Sequence, residues 1–445
     1  MSGRARRGLP FGVRVFPPAR LTRGDAGIGR GIASVDKNNF SPRVGLAWDP
    51  RGDRKMAIRA AFGVFYGSMS GNEANAPADG QPFTTRQSFN NVKSISDPYG
   101  NEPGGLSPFP YGYTPSKPRF FAPSSIKGIS LDLRWPYTYQ MNFSVQRQIT
   151  RDVSLTAAYV GTIGHKLPVD MDMNYPYTTP TANTQNVNAR RPYLPNTLAD
   201  IRITHSVLNT VYHGLQFTGE KRLSRNFSAK GYYTFGKSLD TVNLQRSTRQ
   251  DPQNYNNLRA DRGRTDNDRR HNLVLSGIWK LDYFRNKPVV VRALAGGWSL
   301  SAIATLRSGG PLTLTSGSDR NYDGLTNDRA DLVGDPYLSP NRPRNEVVEQ
   351  WFNRAAFVPN KTFADGTAGR NIIDGPGMRN IDMGIFREFR VTERMQLQFR
   401  AEGTNAFNLV SLSNPGTNVT STASYGRVTT ARAMRQVQLG LRLVF

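Results

Sequence analysis

The sequence predicts an all-β protein, an antiparallel up-and-down transmembrane β-barrel present in part, with about eleven strands. Three observations predict it. Apolar and polar residues alternate with a period of two over segments of about 9–12 residues, the length of a tilted bilayer-crossing strand, whereas globular strands favour about 5–6. The connections alternate between short turns and stretches of tens of residues. Charged residues also sit in mid-strand on the polar face, where a solid core would require a buried partner for each and a watery lumen would not.

In chain order, residues 43–49 and 56–66 form the first pair, with Met56, Ile58, Ala60, Phe62, Val64 and Tyr66 on one face. Residues 137–148 set Tyr137, Tyr139, Met141, Phe143 and Val145 against Thr138, Gln140, Asn142, Ser144 and Gln146. Residues 153–161 then align Val153, Leu155, Ala157 and Tyr159. Further pairs are 212–223 with 227–237 and 270–281 with 298–307. In the last hairpin, 379–389 with 395–408, Met395, Leu397, Phe399 and Ala401 oppose Gln396, Gln398, Arg400 and Glu402. The final strand, 435–445, places Val437, Leu439, Leu441, Leu443 and Phe445 opposite Gln436, Gln438, Gly440 and Arg442.

Short turns at 50–55, 150–152, 224–226 and 391–394 fall on one side, with 282–297 of intermediate length. Long loops at 67–134, 163–211, 238–269, 308–378 and 409–434 fall on the other and are expected to be extracellular. Arg59, Glu220, Lys230, Asp382, Arg400 and Glu402 are the mid-strand charges. Aromatics gather near strand ends (Phe40, Trp48, Phe65, Tyr66, Trp135, Tyr137, Trp279, Tyr283 and Trp298), as in interfacial girdles. The expected organisation is a poorly structured segment over 1–37 and barrel over 38–445.

Bulk properties narrow the function. With 37% hydrophobic residues, no stretch approaches the roughly 18 apolar residues of a membrane-spanning helix, which leaves barrels open. There is no cysteine, so thiolate metal sites, thiol nucleophiles and disulfides are absent. The net charge of +25 raises nucleic-acid binding, but after Arg4-Ala5-Arg6-Arg7 the basic residues are dispersed rather than in blocks, and no nucleic-acid partner is expected. Residues 8–30 hold no apolar core of the roughly 7–15 residues a secretory signal needs, so the chain reads either as cytosolic or as the later part of something longer.

One loop carries a metal motif. Asp319, Asn321 and Asp323, followed by Gly324, fit the first half of a calcium loop, with oxygen donors at its first, third and fifth positions. Leu325 would add its carbonyl and Asn327 its amide oxygen; the twelfth position is Ala330 rather than Glu, with Asp328 or Asp331 as substitutes. The competing account is a polar turn rich in Asp, Asn and Gly. His165, His205, His213 and His271 are scattered and read as solvated or hydrogen-bonded. The glycines at 27, 29 and 31 lead into no βαβ unit. Asp261, Asp266 and Asp268 lie in an Arg-rich loop and are expected to form ion pairs. No catalytic constellation is found and no enzyme is expected.

The strands also carry a resemblance. NNFSPRVGLAWDP from Asn38, IRAAFGVFYG from Ile58 and PYTYQMNFSVQRQITRDVSLTAAYVGTIGHKL from Pro136 resemble the Oar-like TonB-dependent receptors, the family with a carboxypeptidase-regulatory-like domain. So do YHGLQFTGEKRLSRNFSAKGYYTFGKSLD from Tyr212, DNDRRHNLVLSGIW from Asp266 and GGWSLSAIATLRSGGPLTL from Gly296. GPGMRNIDMGIFREFRVTERMQLQFRAEGTNAFN from Gly375 and the closing YGRVTTARAMRQVQLGLRLVF complete a match that runs in order from Asn38 to Phe445.

The resemblance implies the C-terminal part of a barrel of about 22 strands in the outer membrane of a Gram-negative type of cell. It further implies a plug, contact with TonB only through N-terminal regions not seen here, and an unknown ligand captured by the long loops. Phe445, ending an alternating strand, resembles the signal read by the barrel-assembly machinery. The other readings are a structural or adhesion barrel without transport and a secreted basic β protein that binds polyanions.

Overall fold

The computed structural model describes residues 36–68, 94–97, 122–242, 251–282, 284, 288, 290–291, 296–392 and 394–445. The expectation for residues 1–37, most of the 67–134 loop, and Tyr283 therefore fall outside the described residues in whole or large part.

Strands dominate. In chain order they are β1 (Arg43–Trp48), β2 (Met56–Tyr66), β3 (Ser124–Ile129), β4 (Tyr137–Gln148), β5 (Val153–Asp172), β6 (Leu198–Ser224), β7 (Phe227–Asp240), β8 (Gly263–Arg264) and β9 (His271–Leu281). There follow β10 (Trp298–Arg307), β11 (Pro311–Leu312), β12 (Asp331–Leu332), β13 (Phe357–Val358), β14 (Ile373–Asp374), β15 (Met378–Arg390), β16 (Gln396–Thr404) and β17 (Gln436–Val444). A short helix, α1 (Arg344–Glu349), lies between β12 and β13.

One sheet contains the order β1-β2-β4-β5-β6-β7-β9-β10-β15-β16-β17, each strand antiparallel to the next. These are the eleven strands that the period-two alternation marks. Sequential neighbours pair throughout, as short hairpins and up-and-down connectivity require. Among the described residues β1 and β17 do not pair with each other, so the sheet is open at both ends.

The register carries one apolar face across the sheet. Leu46 lies opposite Ala60, Ala60 opposite Phe143, Phe143 opposite Tyr159, Tyr159 opposite Leu215 and Leu215 opposite Phe235. Farther on, Leu275 lies opposite Ala304 and Ala304 opposite Ile381, and Ile385, Ala401 and Leu439 form another row. A one-residue slip anywhere would turn a whole strand over, so this continuity fixes the register. The opposite face carries Arg59, Ser144, Thr156, Thr218, Glu220, Lys230, Ser276, Glu402 and Gln438.

Aromatic rims mark the two ends of the strands. Trp48, Phe227, Trp279, Trp298 and Phe389 lie at the short-turn end, where Trp298 meets Phe399 edge-on at 6.0 Å. Tyr66, Tyr137 and Tyr139 lie at the other, with Tyr66 and Tyr137 rings 5.7 Å apart. Arg387, on the apolar face near the short-turn end, lies 4.4 Å from the Phe389 ring centre and 5.2 Å from that of Trp298. Aromatic rings let a cation stay near the membrane interface on a greasy surface.

The structure departs from the alternation at the long-connection end. β5 and β6 continue to 20 and 27 residues, past the stretches that alternate. The extension of β6 is covered by β3, which runs parallel to it from Ser124 opposite Leu198 to Ile129 opposite Thr204. Protein covers these extensions irregularly, so nothing imposes a period of two there. The later connections also fold: β11 pairs with β14 and β12 with β13.

Candidate functional site

The long connections converge on a cap with a core of its own. Leu312, Leu314, Ala330, Phe352, Ala356, Phe357, Ala368 and Ile373 are buried together, with Trp351, Ile372, Val419 and Tyr425 packed against them. Phe352 meets Phe357 and Tyr425 edge-on at 5.8 and 5.5 Å. Segments from the 308–378 and 409–434 connections thus share one apolar centre.

Around it lies a buried polar network. Arg329 pairs with Asp261, and its Nε donates to the Ala368 carbonyl at 2.7 Å. Gln253 accepts from the Arg329 N–H at 2.7 Å and donates its own backbone N–H to Asp261 at 3.0 Å. Arg370 pairs with Asp240 at the end of β7 and donates to the Asp261 carbonyl at 2.8 Å. This ties the cap to the sheet. Ion pairing is also the fate of Asp268, beside Arg264 and Arg270 at 4.0 and 3.7 Å. Gly366 sits against the Arg329 carbonyl so closely that a Cβ there would come within 1.8 Å of the oxygen.

Asp319, Asn321, Asp323, Leu325 and Asn327 come together in one turn inside this network. Asp319 accepts the N–H groups of Asp323 and Gly324 at 3.0 and 2.9 Å, and Asp323 accepts that of Leu325 at 2.7 Å. Asn321 Oδ1 accepts the Asp323 N–H at 3.0 Å. Gly324 has φ +88°, a left-handed geometry that glycine adopts without strain. Tyr175, from the 173–197 connection, donates its hydroxyl to Asp323 at 2.7 Å. Arg190 donates to the Tyr322 carbonyl. Asn327 donates to the Asp251 and Pro252 carbonyls at 2.9 and 3.0 Å. Burial, with the nearby charges of Asp319 and Asp328, pushes the Asp323 carboxyl up to about 7. Asp328 is also raised, chiefly by burial. Among the described residues no three His, Cys, Asp or Glu side chains converge at metal-binding spacing.

The polar face of the sheet forms a second surface. A cavity of about 1010 Å³ lies over it, lined by residues including Glu220, Lys230, Ser276, Asp382, Glu402 and Gln438. Lys230 faces Glu220 at 3.4 Å, and Arg400 donates to Glu402 at 2.8 Å. Four of the six mid-strand charges thus pair while staying partly exposed, whereas Arg59 donates to Gln146 at 3.0 Å and Asp382 accepts from the Asn380 amide and the Asn405 N–H at 2.8 Å each.

The histidines divide. His213 and His271 bond the hydroxyls of Tyr159 and Tyr233 at 2.6 and 2.7 Å, and His165 bonds Asn209 at 2.8 Å. His205 lies on the extension of β6, opposite Val169, and burial lowers its pKa. Phe445, 92% exposed, follows β17, whose outer edge has no strand partner among the described residues. The sequence reading expected ion pairing for Asp261 but not Arg329 as its partner, and it missed β3, the cap core and the Arg370–Asp240 pair. The Asn327-Asp328-Arg329 run was the available signal, since its three polar side chains all turn inward to contacts on other segments.

An outer membrane beta barrel domain model matches residues 11–438. Among solved structures, the chain is similar to the outer membrane transporter YddB from Escherichia coli at 11% identity and a TM-score of 0.49, covering 91% of this chain and 40% of that one. It is similar to the FrpB iron transporter from Neisseria meningitidis at 9% identity and a TM-score of 0.44, covering 91% and 39%. The siderophore receptor PiuA from Acinetobacter baumannii is 10% identical, with a TM-score of 0.40 and coverage of 90% and 35%. The chain thus spans less than half the length of these structures. No curated protein matches it.

Proposed function

We propose, on the premise that this chain belongs to the outer membrane beta barrel domain family, that it forms the wall and outer cap of an Oar-like TonB-dependent receptor. The protein resides in the outer membrane. The observation that carries the proposal is the sheet itself: eleven neighbouring strands with one apolar and one polar face, and a folded cap at the long-connection end. Hydrocarbon takes the apolar face, and water fills the lumen behind the polar one. The cap faces the exterior and captures the ligand, which then passes to the lumen wall around Glu220, Lys230 and Glu402.

An open sheet in lipid leaves edge N–H and C=O groups unsatisfied at several kcal/mol each, so further strands must close it. A barrel of about 22 strands meets that need. TonB acts through a plug and contact segment outside the strands described above, and the assembly machinery engages the β17 edge near Phe445. In this role the protein binds and moves a ligand and performs no catalysis.

Site-specific cross-linking of the whole receptor to TonB in cells tests the proposal. A TonB adduct, together with ligand uptake that stops when TonB is depleted, supports it. Correct outer-membrane insertion with no adduct and no TonB-dependent uptake would instead favour a structural or adhesion barrel.

A further inference from the structure

We propose that the 319–328 turn is a binding site for one divalent hard cation of the calcium class, which locks the cap together. This inference does not depend on what the barrel transports or on TonB.

The turn gathers oxygen donors and little else. Asp319 and Asp323 supply carboxylates, Asn321 and Asn327 amide oxygens, and Leu325 a backbone carbonyl. Calcium accepts 6–8 such oxygens at about 2.3–2.6 Å, with water completing the shell. No sulfur or imidazole ligand is present in the turn, which disfavours the softer transition metals. The ligand set is therefore two carboxylates completed by amide and backbone oxygens, with Asp328 beside it rather than in it, since among the described residues no trio of acidic or imidazole side chains converges.

A separate observation points to a ligand. Asp328 is fully buried at 0% exposure. One of its oxygens accepts the Arg320 and Asn321 N–H groups at 2.8 and 3.0 Å and the Asn360 amide at 2.9 Å, which fixes the carboxylate against the turn. Its other oxygen has no partner among the described residues. The buried Asn327 and Asn360 amide oxygens lack partners as well. Leaving such atoms unsatisfied costs about 1–3 kcal/mol each, more for a charge. Asp319, Asp323 and Asp328 also repel one another. The Arg190 guanidinium attracts Asp319 and Asp323 and offsets part of that repulsion.

Occupancy would have a structural effect beyond the turn. Tyr175 reaches it from the 173–197 connection, Asn327 from it touches the Asp251 and Pro252 carbonyls, and Asn321 donates to Asp365 at 3.1 Å. Three further chain segments therefore meet at the cation, and binding to the folded state alone would stabilise all of them.

Terbium luminescence under tyrosine excitation provides the test, because Tyr322 lies within the turn and Tyr175 bonds to Asp323. The purified whole chain in detergent should give saturable emission at one ion per chain, displaced by calcium with a Kd of about 0.1–1 mM, the range of extracellular modules. Calcium should also slow proteolysis within 308–378. Asp319→Asn should weaken both effects by at least about tenfold, as loss of a ligand does. Asp335→Asn, an exposed acid in the same connection, should change neither. Asp323→Asn serves as the second ligand variant, with near-ultraviolet circular dichroism reporting whether the cap remains folded. Absence of tyrosine-sensitised emission in the parent protein, or equal emission and protection in a folded Asp319→Asn, overturns the proposal.

Discussion

Phe143, Phe217 and Leu275 in the sheet are 49, 50 and 46% exposed, whereas Leu314, Phe352 and Phe357 in the cap are 0, 2 and 3% exposed. The charges follow the opposite rule. Lys230 and Glu220 in the sheet keep 42 and 41% of their side-chain surface, while Arg329 and Asp261 in the cap keep 5 and 4%. The cap is organised like a water-soluble domain, with apolar groups gathered inside and buried ions paired. The sheet has its apolar groups outside and its ions wet, which is sensible only if hydrocarbon lies beyond the apolar face. The same chain thus meets two solvents, and the border between them runs through β5 and β6 where their alternation ends.

The contrast predicts unequal costs for similar substitutions. The largest should come from Asp261→Ala, which leaves the buried Arg329 without its carboxylate and should destabilise the cap by about 3–5 kcal/mol. Thermal unfolding with protease cleavage of 308–378 would measure it, and the sheet's own transition should move much less. Next is Leu275→Arg, a charge placed on the apolar face in mid-strand, expected to cost about 2–4 kcal/mol of folding into bilayers. Its neighbour Ser276 points to the lumen, so Ser276→Arg should cost little. Equal penalties for the two in a bilayer refolding titration would break the comparison.

Lys230→Gln removes an ion pair that remains largely solvated and should cost clearly less than Leu275→Arg by the same titration. The smallest effect should come from pH. Burial lowers the His205 pKa, with Asp132 opposing. The unfolded chain therefore takes up the proton first, and the His205 contribution is undiminished above the ordinary imidazole value near 6.5. The stability of the β5–β6 extension should fall slightly as the pH drops below that value, and His205→Gln should flatten the change in a protease-protection series.

What the sequence made legible follows from the same two solvents. Met56 to Tyr66 in β2 and Gln436 to Val444 in β17 could be delimited from the sequence because hydrocarbon on one side and water on the other demand a strict alternation. Lys127-Gly128-Ile129 in β3 shows no such pattern, since its edge lies against β6 and its faces meet irregular protein. Leu314 and Phe352, far apart in sequence, reveal a core only when the chain folds back. The acidic turn was visible as a spacing of Asp and Asn, but its attachment to Tyr175, Asp251 and Asn360 was not, because those contacts cross more than thirty residues each.

Because the chain has no cysteine, single cysteines can report which solvent each face meets. Fluorophores placed at Leu275, Ala401 and Ser276, Gln398 in the reconstituted protein should divide cleanly. Nitroxide lipids should quench the first two and spare the second two, while an aqueous quencher should do the reverse. Equal aqueous quenching at all four sites, or protection of Leu275 and Ala401 from both quenchers, would place protein or water where hydrocarbon is required and would contradict the membrane-barrel account.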